Sequence, residues 1–221
     1  MPKSTKPDRS RRNAADPAGP RARVPWGTVS REQVVNAAIR AIEHGGYEEM
    51  TIRSLAASLG VAPMTLYRHV TSKDDLLDEV ADRLLAESWQ PRARTEDWQA
   101  WTAEAARLLR NLLVSQPAVL HVYLRHPIVT PAAIARMEAM LAVLHQAGFD
   151  ERCALRGYAS VHTYTVGFAA LEASRTRWVA DTAQSGHVTR QLAEFTTSRQ
   201  FAVGLGYLLS GMERDRTAEH A

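Results

Sequence analysis

The segment Thr51-Ile-Arg-Ser-Leu-Ala-Ala-Ser-Leu-Gly-Val-Ala-Pro-Met-Thr-Leu-Tyr-Arg-His-Val70 constrains this chain more than any other stretch. Two short helices that cross nearly at right angles need a small residue at the crossing, a turn that tolerates left-handed backbone, and a few apolar contacts. Ala56 is the small residue, Gly60 supplies the turn, and Leu55, Leu59, Val61 and Leu66 make the miniature core. Thr51 caps the first helix, and Pro63 opens the second where a missing N–H costs nothing. Those roles leave Pro63, Met64, Thr65, Tyr67, Arg68 and His69 facing outward, with no carboxylate between Pro63 and Val70.

An exposed helix of this chemistry suits the phosphate-lined major groove of a duplex. Thr65 and Tyr67 can donate to phosphates, Arg68 can reach a guanine edge or a phosphate, and Met64 can touch a thymine methyl. Arg53, at the start of the first helix, and Lys73, at the start of the next one, join this set as candidate DNA contacts. The competing reading is a plain pair of core helices, because Ala, Leu and Gly at such spacings are common in helical proteins.

The flanks extend the helical pattern. Ser30 with Gln33 forms a capping box, Val34, Val35, Ala38, Ile39 and Ile42 give one apolar face, and the spacing predicts a stop at Gly45-Gly46. After Thr71-Ser72 a longer helix starts with Asp74 and Asp75 in its first turn, buries Leu76, Leu77, Val80, Leu84 and Leu85, and fades before Pro91. Further helices are predicted over Trp98 to Leu113, from Pro117, over Pro131 to Gln146, Glu151 to about Trp178 and about Val188 to Met212, with Val179 to His187 as a loop. The fold class is all-α: an N-terminal three-helix helix-turn-helix domain with its connecting helix over 26–90, and a C-terminal helical bundle over 91–221.

Residues Ser30 to about Leu77 resemble the DNA-binding domain of the TetR (tetracycline-repressor) family. The resemblance rests on Gly45-Gly46-Tyr47, Thr51-Ile52-Arg53, Leu55-Ala56, Leu59-Gly60-Val61, Leu66-Tyr67 and Ser72-Lys73-x-x-Leu76-Leu77. It departs at Val70, where the family usually has an aromatic residue. It covers about a quarter of the chain. It implies a homodimer, an operator with two half-sites and a small-molecule inducer site in the C-terminal portion.

Charge is unevenly placed. Residues 1–25 carry seven Lys/Arg and two Asp, whereas residues 26–90 are net −4 and the whole chain is +3. Non-specific DNA affinity comes from cations that displace condensed counterions, so the 26–90 region alone is a poor general ligand for DNA. The arm, poor in large apolar side chains, is expected to be flexible and to supply the deficit. Arg9, Arg11, Arg12, Arg21 and Arg23 then track phosphates or enter a minor groove; a solvated tail without defined contacts is the other reading.

In the C-terminal part, the Glu151 helix has apolar residues on two opposite faces, more than a monomer's surface helix needs. Val161, Tyr164, Phe168 and Leu171, with Phe201, Leu205, Leu208 and Leu209 of the last helix, are expected to meet a second subunit, and Gly204 and Gly206 to permit close approach. The opposite face (Leu155, Tyr158, His162, Thr165, Ala169) is expected to line the core. Trp101, Leu108, His121, Tyr123, Met137, Leu141, Tyr158 and His162 are candidate ligand-site residues, since pockets in helical bundles combine aromatic walls with a few polar groups.

Other classes find little support. Ser-x-x-Lys, His-Glu-x-x-His, Gly-x-Ser-x-Gly, phosphate-loop and dinucleotide fingerprints are absent, so no enzyme, cofactor or metal is expected. His121 and His126 do not share a helix face as metal ligands would. One cysteine, Cys153, fits a reducing compartment. The start Met1 to Pro7 lacks the apolar stretch of a secretory signal, and the longest uncharged run, Gly157 to Leu171, is 15 residues and polar, so cytoplasmic residence is expected. The expected function is a ligand-responsive regulator, as a repressor that leaves DNA when a small effector binds, with the Lys73–Ser88 helix transmitting the change. The alternative is a helix-turn-helix DNA-binding protein with no small-molecule effector.

Overall fold

Side-chain caps start the N-terminal helices where their residue types predict. The computed structural model describes residues 29–89, 91, 96–125, 130–181 and 195–218. Among them are nine helices and no strand: α1 (Arg31–Glu49), α2 (Ile52–Ser58), α3 (Pro63–Leu66), α4 (Lys73–Ser88), α5 (Trp98–Ser115), α6 (Pro117–Arg125), α7 (Pro131–Gln146), α8 (Glu151–Asp181) and α9 (Ser198–Ala218). Ser30 Oγ accepts from the Gln33 N–H at 3.2 Å while Gln33 Oε1 accepts from the Ser30 N–H at 2.8 Å. Thr51 and Ser54 exchange the same pair of bonds at 3.0 Å each, and Ser72 Oγ accepts from the Asp75 N–H at 3.0 Å. Each cap satisfies amides that a helix start leaves without an intrahelical partner.

Three boundaries differ from the sequence expectation. Gly46 has the left-handed φ of 78° expected of a helix terminator, yet helical turns resume and α1 runs on to Glu49. Tyr47 explains the extra turn: its half-buried ring packs on the core and meets His121 of α6 in a tilted contact, ring centroids 4.7 Å apart. The α8 helix extends through 179–181, the first part of the expected loop, and residues 195–197, inside the expected last helix, form a turn before α9 starts at Ser198. Residues 182–194 and the arginines Arg9, Arg11, Arg12, Arg21 and Arg23 lie outside the described residues.

Two apolar cores follow from the helix faces. One gathers Val34, Ala38, Leu55, Ala56, Leu66, Val70, Leu76, Leu77, Val80 and Leu85, and continues without a break into Leu109, Leu112 and Leu113 of α5, Val119 and Val122 of α6 and Ala169 of α8. Val70, smaller than an aromatic, is fully buried in it. The other gathers Trp98, Trp101, Met140, Leu144, Phe149, Val161, Phe168, Phe201, Leu205 and Leu209.

The α4 helix ties these parts together. Its apolar side packs on α1, and it also packs on α5, α6 and α7. Asp74 and Asp78, one turn apart, pair with Arg125 of α6 at 2.5 and 2.6 Å. Asp82, one turn further on, accepts from the Ala132 N–H at 2.8 Å in the first turn of α7. A carboxylate there satisfies an open amide and complements the positive end of the α7 dipole. Three of the acidic residues that make 26–90 negative therefore face the bundle.

A second polar anchor is buried between α5, α8 and α9. Arg110 is forked onto Glu172 at 2.9 and 2.6 Å, donates to Ser198 Oγ at 3.1 Å, and lies 5.3 Å from the Phe201 ring centroid. Removing one partner of a buried pair strands the other charge. Glu172→Ala should accordingly lose about 3–5 kcal/mol of unfolding free energy, measured by urea titration. A loss below about 1 kcal/mol, the range of an exposed pair, would show that solvent reaches Arg110.

Candidate nucleic-acid interface and ligand pocket

The α2–α3 pair presents an outward face of the chemistry read from the sequence. Leu66 is fully buried under α3 while Met64 is 73% and Tyr67 48% exposed. Pro63, Arg68 and Arg53 are also exposed, and Thr65 and His69 are half-buried. Regular helix covers only Pro63–Leu66; Tyr67–His69 continue as a turn, with the His69 and Val70 amides donating to the Leu66 carbonyl at 2.8 and 3.1 Å. Gly60, at φ 69°, makes the turn between the two helices. Lys73 Nζ donates to the Glu48 carbonyl at 3.1 Å and so ties α4 to the end of α1.

A cavity of about 200 Å³ lies in the bundle, lined by Trp89, Ala105, Ala106, Leu109, Tyr123, Ala133, Arg136, Met140, Tyr158, Val161, His162 and Thr165. Of the eight sequence candidates, Tyr123, Tyr158 and His162 line it, with His162 between the two tyrosines at ring distances of 5.8 and 5.5 Å. Trp101 stands one layer behind, edge-on to Trp89 at 5.7 Å. Leu108, Met137 and Leu141 are half-buried beside the cavity's helices and do not line it. His121 lines a different groove, formed with Gly45 to Glu49 of α1.

On α7 the cavity is met by neighbours of the expected residues. At 100° per residue Arg136 and Met140 fall on one side of Ala133 and Met137 and Leu141 on the other, so the cavity meets one edge of a shared helix stripe and the two candidates lie along its other edge. An arginine in register with Ala133 and Met140 was the signal that could have exposed the cavity edge. Arg136 is only 9% exposed, its guanidinium carbon lies 4.3 Å from the Trp89 ring centroid, and Nη1 makes a long 3.4 Å contact to the Tyr123 hydroxyl. Burial pushes the Arg136 guanidinium below its ordinary range, while burial raises Tyr123 and Tyr158. His162 is held below the usual imidazole range, first by burial and then by the nearby Arg136 charge. Thr165 spends its hydroxyl on the Val161 carbonyl at 2.7 Å.

The expected subunit seam needs correction. Val161, Phe168, Phe201, Leu205 and Leu209 are buried within the single chain, and Tyr164 and Leu208 are half-buried; only Leu171 stands out, at 56% exposed. The expected core face of α8 does turn inward, with Thr165 and Ala169 fully buried and Tyr158 and His162 on the cavity, and only Leu155 is exposed; the face expected at the seam is buried as well. The aromatic-rich face supplies more contact area and goes to the core, where Tyr164 stacks on Phe201 at 5.3 Å and donates to its carbonyl at 3.0 Å. Gly204 serves that packing, since a Cβ there would overlap the Tyr164 hydroxyl, whereas Gly206 faces open space.

A two-helix reader joined by one helix to a bundle with an internal chamber is the architecture of helix-turn-helix regulatory proteins. Residues 34–80 match the model of bacterial regulatory proteins of the tetR family, and residues 90–216 match that of the tetracyclin repressor-like C-terminal domain. The chain belongs to the TetR family of transcriptional regulators. It is 32% identical over 155 residues to the class E tetracycline repressor of Escherichia coli, covering 68% of this chain and 72% of that one. An HTH-type transcriptional regulator of Saccharopolyspora erythraea is 29% identical over 144 residues, or 65% of this chain; the chain spans 61% of that relative's length. Among solved structures, a TetR Q116A variant from Acinetobacter baumannii in complex with minocycline superposes with a TM-score of 0.69 at 26% identity, covering 86% of this chain and 99% of that one. Among the described residues no helix is long and apolar enough to cross a membrane.

The His162 environment sets a pH dependence. Unfolding restores the ordinary imidazole value, so the unfolded chain binds the proton first and stability falls as pH drops below about 6.5. The midpoint transition temperature should therefore fall from pH 7 to pH 5.5 by more in the native chain than in His162→Gln. Parallel pH profiles for the two proteins would remove His162 from this role.

Proposed function

We propose that the chain is an effector-controlled repressor that binds a two-half-site operator as a homodimer and is released when a small molecule enters the bundle cavity. The observation that carries this reading is the exposed Met64 and Tyr67 on a carboxylate-free face, joined through α4 to the helices that wall the cavity. In each half-site Thr65, Tyr67 and Arg68 contact phosphates or base edges, Met64 meets a thymine methyl, Pro63 and His69 flank them, and Arg53 adds a phosphate contact from α2. The arm arginines of residues 1–25 add sequence-independent affinity.

Ligand control has a defined route. Asp82 holds the first turn of α7, and Arg136 and Met140 lie on the same helix, one to two turns further along. An effector that draws Arg136 inward moves α7, and with it the Asp82 contact and the tilt of α4. Duplex selects one spacing of the two readers and ligand the other. A bundle cavity lined by a buried arginine favours this reading over a DNA-binding protein without an effector.

The dimer seam is reassigned to the outer face of α8 and α9. Leu155, Ala159, Thr163, Gly167 and Leu171 recur every fourth residue, all exposed and none charged. Val203, Gly206 and Tyr207 of α9, the last 74% exposed, are exposed and uncharged too. An uncharged stripe over four turns of a surface helix fits a partner's surface, and its small residues admit close helix approach.

Selection of bound duplex from a random pool should return a two-fold symmetric site with half-site centres about one helical turn or slightly more apart. Tyr67→Ala, at an exposed position, should weaken that site about tenfold or more while the melting temperature is unchanged. Deleting residues 1–25 should flatten the dependence of affinity on salt. Leu171→Glu with Tyr207→Glu should sediment as a monomer. Absence of any sequence preference over bulk competitor would end the proposal.

A further inference from the structure

We infer that the effector is a planar aromatic carboxylate of one or two rings, with Arg136 as its counter-ion. The inference rests on the effector-controlled reading above and adds the chemistry of the ligand. An arginine stays protonated even when buried, and a buried cation is costly without a partner. Arg136 is buried to nine-tenths, its Nε has no hydrogen-bond partner, and among the described residues no carboxylate pairs with it. The other well-buried arginine, Arg110, has Glu172, so the fold does supply a counter-ion where the role is structural. Arg136 stands instead at a cavity wall, and its one formal charge is the only one in the described lining.

The rest of the chamber selects the ligand body. Trp89, Tyr123, Tyr158 and His162 offer ring faces and edges, which favour a flat π-system, and Ala105 and Ala133 leave the width of a slot. At about 200 Å³ the space falls below the roughly 300–1,000 Å³ of pockets for drug-sized ligands. His162, held neutral, contributes a donor or an acceptor without adding charge. The guanidinium fork matches a carboxylate in geometry as well as sign, and Trp89 stacking keeps the fork in place.

The test uses the full chain and three probe acids, benzoate, salicylate and 2-naphthoate, each against its own carboxamide, which keeps the shape and removes the charge. Isothermal titration should give at least one acid a Kd about ten to a hundred times below that of its amide, the worth of one charge-assisted contact. Arg136→Met, which keeps the side-chain bulk, should erase that preference while the amide's affinity holds; Arg136→Lys should keep part of it. Amides that bind as tightly as acids overturn the inference, as does an acid preference that survives Arg136→Met or a failure of all six probes to bind. The wild-type acid–amide comparison needs no variant to fold. If an acid binds with Arg136-dependent preference yet leaves the operator complex intact at saturation, the repressor reading falls and the ligand assignment stands. Release of DNA by neutral compounds alone would do the reverse.

Discussion

The contact on which the rest depends is the acidic edge of α4. Asp74, Asp78 and Asp82 stand one turn apart and reach Arg125 of α6 and the first turn of α7. Without them the reader would hang from the bundle by apolar packing alone, which is non-directional and tolerates sliding. Charged, hydrogen-bonded contacts fix register instead. The same contacts resolve the sign of the 26–90 region: much of its negative charge is spent within the fold, and the outward face of α3 carries none of it.

Packing and polarity divide the bundle's labour. The Arg110–Glu172 pair and the Tyr164–Phe201 stack lock α5, α8 and α9 into one body. The α7 helix sits on that body with a chamber beneath it and the Asp82 contact at its start. A change inside the chamber therefore meets one stiff wall and one that is linked to the reader.

Local signals in the sequence were read well because they are made within a few residues. Ser30 with Gln33, Thr51, Gly60 and Pro63 each act on backbone groups at most three or four positions away, so their meaning survives without knowledge of the fold. The outward set on α3 was legible for the same reason: once Leu66 is buried, the neighbouring positions must point elsewhere. Partner choice in the bundle was not. A helix apolar on both sides, as α8 is, does not announce which side meets its own chain and which a second one, and Val161, Phe168 and Phe201 were put on the wrong side. Arg136 was missed because an arginine at helical spacing reads as surface until the helix phase is known. Trp89 lies just past the end of α4, where periodicity stops guiding. The tie from Lys73 to the Glu48 carbonyl was not legible either, because it joins residues 25 apart.

The α8 helix serves three masters at once: Tyr158 and His162 wall the chamber, Ala154 and Phe168 fill the core, and Leu155 and Leu171 lie on the uncharged outer stripe. By contrast α7 turns Ile134, Ala135 and Glu138 to solvent while Ala133, Arg136 and Met140 touch the chamber. Evolutionary drift toward new effectors has its cheapest path along α7, and lineages descended from this chain should diversify there while the long helix behind it stays nearly frozen.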